Sequence, residues 1–146
     1  MNTKTIAEAM AKKYQTRNPF DLAEAKNIIV LFEPLGNILG FYNRCYRQSF
    51  IHINQELDGN HATFTCAHEL GHAILHPKVN TPFLREHTMF SVDKLELNAN
   101  RFAVDLLYDD EELRDFLSRP INDAVAYMGV PQQLAEYRLS SILKGD

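Results

Sequence analysis

The sequence has 146 residues, 45% of them hydrophobic and 23% charged, with a formal net charge of −4. That is the size of one domain with its own core, residues 1–146, and the composition argues against disordered, collagen-like and coiled-coil chains. The scattered basic residues disfavour direct contact with nucleic acid, and Ile28 to Phe32, the richest apolar run, is too short for a membrane span.

In chain order, residues 3–15 predict a first helix, with Ile6, Ala9, Met10 and Lys13 at helical spacing. Lys12 and Lys13 occupy the region where a secretion signal needs an apolar segment. Asn18-Pro19 ends this helix, and Asp21 can cap a short second one over 22–27. Ile28 to Phe32 reads as a buried strand stopped by Pro34 and Gly36. Two more strands, 38–42 and 48–54, flank a turn near Arg44; in the second, Phe50, His52 and Asn54 share one face while Ile51 and Ile53 share the other. A helix follows from about Asn60 to Leu75, ended at His76 by Pro77. After a loop containing Pro82 come a helix from about Val92 to Tyr108, shorter helices over 109–118 and 120–128, and a last helix opening at Pro131. The acidic run Asp109 to Glu112 suits a helix start on a solvated surface. The order of elements predicts an α+β fold. Cys45 and Cys66 are too few for a disulfide framework and fit a reducing, cytoplasmic setting.

The chemistry concentrates in His68-Glu69-Leu70-Gly71-His72. On a helix, His72 lies about 40° round from His68 and one turn along, so the two imidazoles can converge on one metal ion while Glu69 handles a water proton. Cys66, Leu70, Ala73 and Ile74 fall on the opposite, core-facing side, where Cys66 serves packing. Gly71 falls on the metal side, where it would leave room for substrate. The bland alternative is a solvated His/Glu helix face.

A peptidase zinc site needs a third protein ligand and an open position. The helix 92–108 carries Val92, Leu95, Ala99, Phe102, Ala103, Leu106 and Leu107 on one side and Asn98, Arg101 and Asp105 on the other. Glu96 falls in the middle of the apolar side, where a carboxylate is costly without a partner. A metal removes that cost, making Glu96 the third ligand; the alternative is a buried salt bridge to Arg85 or Arg101. Asn100, one turn on, can hydrogen-bond a ligand histidine from behind. His76 continues the line of His68 and His72 but lies about 6 Å beyond His72, too far along one helix for the same tetrahedral centre, and reads as a hydrogen bonder at the helix end. His52, His61 and His87 read as surface or structural residues. Tyr46 and His87 are the candidates for an oxyanion donor.

Two blocks in this order resemble the ImmA/IrrE family of metallo-endopeptidases. They are Phe64-Thr65-Cys66-Ala67-His68-Glu69-Leu70-Gly71-His72-Ala73-Ile74-Leu75-His76 and Glu96-Leu97-Asn98-Ala99-Asn100-Arg101-Phe102-Ala103-Val104-Asp105-Leu106-Leu107. Tyr108-Asp109 stand where that family commonly has Met-Pro, which alters the helix exit and no ligand. The resemblance implies a compact zincin-like (gluzincin) domain, with a small sheet packed on the two ligand-bearing helices. It implies Zn2+ held by His68, His72 and Glu96, with Glu69 as general base. It also implies the role of the short members that accompany prophages and integrative elements: cleavage of a partner helix-turn-helix repressor to relieve repression. The rival expectation is a repressor-binding module with a structural or idle metal site. Glu69 argues against it, because a closed structural zinc site with four protein ligands has no use for that carboxyl.

Overall fold

The computed structural model describes residues 2–78, 83–84 and 93–144. Helix α1 spans Thr3–Tyr14 and is capped by the Asn2 side chain, which accepts from the Thr5 amide. Helix α2 spans Pro19–Ala25, three residues ahead of its expected start. Its cap is Asn18 rather than Asp21: Asn18 Oδ1 accepts from Phe20 N at 2.8 Å, and Pro19 takes the first helical position, where a missing N–H costs nothing.

Strands β1 (Ile28–Glu33), β2 (Ile38–Cys45), β3 (Gln48–Asn54) and β4 (Phe83–Leu84) form one sheet in the order β1-β3-β2-β4. β1 runs parallel to β3, while β2 is antiparallel to both β3 and β4. The β2–β3 hairpin turns at Tyr46 and Arg47, both with positive φ (50° and 68°), the combination a tight two-residue hairpin turn requires. This turn lies beyond Arg44, so β2 is longer than the sequence pattern indicated. Ile51 and Ile53 point into the core with Tyr42, as the alternation predicted. Asn54 is also buried; it donates to Gly36 O and Ile38 O and ties the end of β3 to the β1–β2 connection.

Helix α3 (Gly59–Leu75), capped by Asp58, packs on β2 and β3. The approach depends on Gly40 of β2, where a Cβ would lie 2.7 Å from Thr65 Cγ2 and 2.7 Å from His52 O. Helix α4 (Lys94–Leu107), capped by Asp93, packs on α3 and joins the sheet through it. Here Gly71 overturns an expectation. A Cβ on it would sit 3.1 Å from Phe102 Cδ1 and 3.4 Å from Ala99 Cα, so its bareness serves the contact between α3 and α4 rather than space for substrate.

The outer side of α4 is covered by α1 and α7 (Gln132–Leu143), so Asn98 and Asp105 are buried, not solvated. Asp105 Oδ2 accepts from Thr3 Oγ1 and Tyr137 OH, each at 2.7 Å. Between α4 and α7 lie α5 (Asp110–Leu113), a 3-10 turn over Arg114–Ser118, and α6 (Ile121–Met128), closed by Gly129 at φ 67°. The acidic run is likewise less solvated than expected: Asp110 pairs with Lys4 and with the fully buried Arg138, both at 2.9 Å. Among the described residues no helix is long and apolar enough to cross a membrane.

Candidate metal centre

The site forms where α3 and α4 cross. Four residues apart on α3, His68 and His72 present their rings to the N-terminal half of α4, and Glu96 reaches back between them. Glu96 Oε2 lies 3.0 Å from His68 Nε2, and Glu96 Oε1 lies 2.8 Å from His72 Nε2. One ligand atom from each of the three residues falls within 4.8 Å of the others, and all three residues are buried. Arg101, the alternative partner for Glu96, stands instead over the Tyr137 ring at 4.6 Å. Arg85 lies outside the described residues.

The hydrogen-bond pattern tests whether a cation fits. Asn100 Oδ1 is 2.8 Å from His68 Nδ1 and can only accept, so the ring proton sits on Nδ1. Burial, the main influence on His68, disfavours its charged form. A neutral ring then directs its Nε2 lone pair at Glu96. Burial opposes charge on Glu96, and donors or positive charge at the two ring nitrogens hold such a carboxyl below the usual range; with those nitrogens turned as lone pairs, a bound cation has to supply that charge. Imidazole lone pairs and a carboxylate thus converge in a buried space. That donor set is unfavourable alone and matches a divalent metal ion.

Glu69 adds a different feature. Its carboxyl is fully buried, neither oxygen has a hydrogen-bond partner among the described residues, and Oε2 lies 4.0 Å from His68 Nε2. Burial, reinforced by the nearby Glu96, raises its pKa well above the carboxylate range. A group in that position can carry a proton close to the cluster of His68, His72 and Glu96 without joining it.

The remaining candidates sit elsewhere. Tyr46 is 98% exposed at the tip of the hairpin, so it is no donor to this buried centre. His87 lies outside the described residues. His52 is held on the outer face of the sheet by Glu33 and Asn43 and stacks on Phe41; His61 pairs with Asp58 at the start of α3. Cys66 is buried, and burial pushes its thiol up, away from the reactive thiolate. His76 was placed at the helix end by its spacing, but its contact with His72 (Nδ1 to Nδ1, 3.1 Å) was not foreseen.

Comparison with known proteins places this geometry. The family model for the IrrE N-terminal-like domain of the M78 peptidases matches residues 23–140, a stretch that includes all of α3 and α4. The chain belongs to the M78 peptidase family. It is 44% identical over 144 residues to the "Uncharacterized immunity region protein 2" of Bacillus phage phi105, covering 97% of this chain and 91% of the relative. It is 32% identical over 141 residues to "Metallopeptidase ImmA" of Bacillus subtilis, covering 92% and 82% respectively. Membership of the M78 family agrees with the zincin-like α+β arrangement and with a divalent metal at the crossing of α3 and α4.

Proposed function

We propose that this protein is a cytoplasmic zinc endopeptidase that cleaves a partner helix-turn-helix repressor and so relieves repression in a phage or mobile genetic element. Residues 1–146 serve as one catalytic domain. The observation that carries the reading is the buried Glu69 carboxyl, without a hydrogen-bond partner among the described residues, beside the convergent His68, His72 and Glu96. A structural zinc site closes with four protein ligands, whereas three ligands with an adjacent unliganded carboxyl suit hydrolysis. The names of the phage and bacterial relatives, an immunity region protein and a metallopeptidase, support the setting.

His68, His72 and Glu96 would hold the metal, and Asn100 fixes the His68 ring with its Nε2 turned inward. When bound, zinc supplies a polarised scissile carbonyl and a water whose pKa falls toward ~7. Glu69 takes the proton of the attacking water on a carboxyl oxygen and returns it to the departing amine. Burial and the nearby Glu96 favour the protonated form of Glu69, which suits it to hold the water's proton until the amine departs.

The test is incubation of the purified protein with a helix-turn-helix repressor of the same genetic element, with and without a chelator. Loss of full-length repressor only without chelator is expected. Stable co-elution of two intact chains would instead establish a binding module with a structural or idle metal site.

A further inference from the structure

We infer that His76 is a positioning residue of the metal centre: it accepts the Nδ1 proton of His72 and thereby turns that ring's Nε2 lone pair inward. The inference rests on the reading of His68, His72 and Glu96 as a metal site and adds a residue to it.

The two histidines of the centre face the same difficulty. A neutral imidazole carries one proton on its two nitrogens, so a ring that offers Nε2 to a metal must keep its proton on Nδ1. In a buried site that N–H needs an acceptor. For His68 the acceptor is Asn100 Oδ1, at 2.8 Å. For His72, whose Nε2 faces Glu96 Oε1 at 2.8 Å, the atom at Nδ1 is His76 Nδ1, at 3.1 Å. His76 accepts there if its own proton is on Nε2. That nitrogen has no hydrogen-bond partner among the described residues, so its N–H carries a desolvation cost that the bond between His72 and the metal has to offset.

Local backbone explains how a residue one turn beyond His72 reaches its ring. Helix α3 ends at Leu75, and His76 leaves helical geometry (φ −137°, ψ 58°) ahead of Pro77. The residue is 8% exposed, and its ring centroid lies 5.3 Å from that of His72 with the planes tilted by 53°. The geometry also explains why His76 is not a fourth ligand: the nitrogen that approaches His72 meets the side of the ring opposite Glu96.

The experiment compares zinc affinity, by competition with a chromophoric chelator, in wild type, His76→Phe and His76→Asn, with melting temperature as a control for folding. Phenylalanine keeps a ring and removes the acceptor, whereas the asparagine oxygen can stand near the place of Nδ1. His76→Phe is expected to lose about 10–100-fold in zinc affinity and His76→Asn to recover most of it. Wild-type affinity in His76→Phe, or equal losses in both variants, would overturn the inference and leave the metal centre standing. A wild type that binds no zinc would remove the metal centre itself. A readout independent of any variant is nitrogen-15 histidine NMR of the zinc-loaded wild type. His72 should be protonated at Nδ1 and coupled across the hydrogen bond to His76 Nδ1; a His72 found without that proton would refute the assignment.

Discussion

A carboxylate on the apolar side of a helix is unfavourable unless positive charge or donors face it, and that single mismatch made Glu96 visible in the sequence. The structure puts it between two histidine nitrogens, 2.8 and 3.0 Å away. Glu96→Gln keeps the shape and removes the charge, so zinc affinity should fall further than the about 10–100-fold loss expected of Asn100→Ala, which only frees the far side of His68. Metal analysis after dialysis against graded chelator measures both; unchanged occupancy in Glu96→Gln would take it out of the ligand set. His68, Glu69 and Asn100 were legible for the same reason as Glu96, because helical spacing fixes direction from the helix axis. Spacing does not say what stands in that direction. Gly71 was therefore assigned to substrate space when its neighbours are Phe102 and Ala99. Spacing likewise makes His76 only the third point on a straight helix, although the chain departs from helical geometry at that residue.

At the scale of elements, α3 is held between the sheet and α4, with one glycine at each contact. Gly40 is the tighter, since a Cβ there meets the His52 carbonyl oxygen and the Thr65 methyl at 2.7 Å each. Neither the strand backbone nor a buried β-branched side chain yields easily. Gly40→Ala should therefore cost about 1–3 kcal/mol or more, read as a lower urea midpoint with unchanged m-value. Glu69 Cγ is also close, at 3.7 Å, so the displaced helix should carry Glu69 out of register and reduce activity beyond the loss of folded protein. Wild-type stability in Gly40→Ala would show that the helix and sheet have slack. Most elements were readable from periodicity and from punctuation such as Pro77, but their partners were not. The pattern of α4 suggested one buried face. Its second buried face, against α1 and α7, is built from polar residues that no hydrophobic period marks.

Across the whole molecule, two arginines from outside α4 anchor the far end of the helix that carries Glu96. Arg17 Nη1 donates to Asp105 O and Leu106 O, and Arg138 donates to Val104 O and Tyr108 O, so two guanidinium groups from different parts of the chain satisfy the last carbonyls of α4. Arg138→Met should destabilise the fold by about 3–5 kcal/mol, because it strands the Val104 and Tyr108 carbonyls and leaves Asp110 with Lys4 alone among the described residues; denaturation midpoints test it. Asp110 also sets a pH dependence. Burial pulls its pKa upward, but the Lys4 and Arg138 charges outweigh that and lower it from 3.8. A carboxyl with a depressed folded pKa contributes stability above its unfolded pKa and loses it as pH falls through the folded one. Asp110→Asn should consequently be less stable at neutral pH and show a shallower decline below pH ~4. An identical acid limb in both proteins would assign acid sensitivity to other carboxyls.

In the proposed function one buried carboxyl, outside the ligand set of the metal, drives peptide hydrolysis, and Glu69→Gln isolates it. The amide keeps the size of the side chain, so fold, zinc content and repressor binding should stay near wild type. Without a carboxylate to take the water proton, cleavage should fall by at least ~10²–10⁴-fold. The measurement is a reporter under the repressor's promoter, comparing wild type, Glu69→Gln and empty vector under the inducing condition, with the repressor followed by immunoblot. Derepression and repressor loss are expected in wild type alone. Full derepression by Glu69→Gln with the repressor still intact would contradict that role of Glu69.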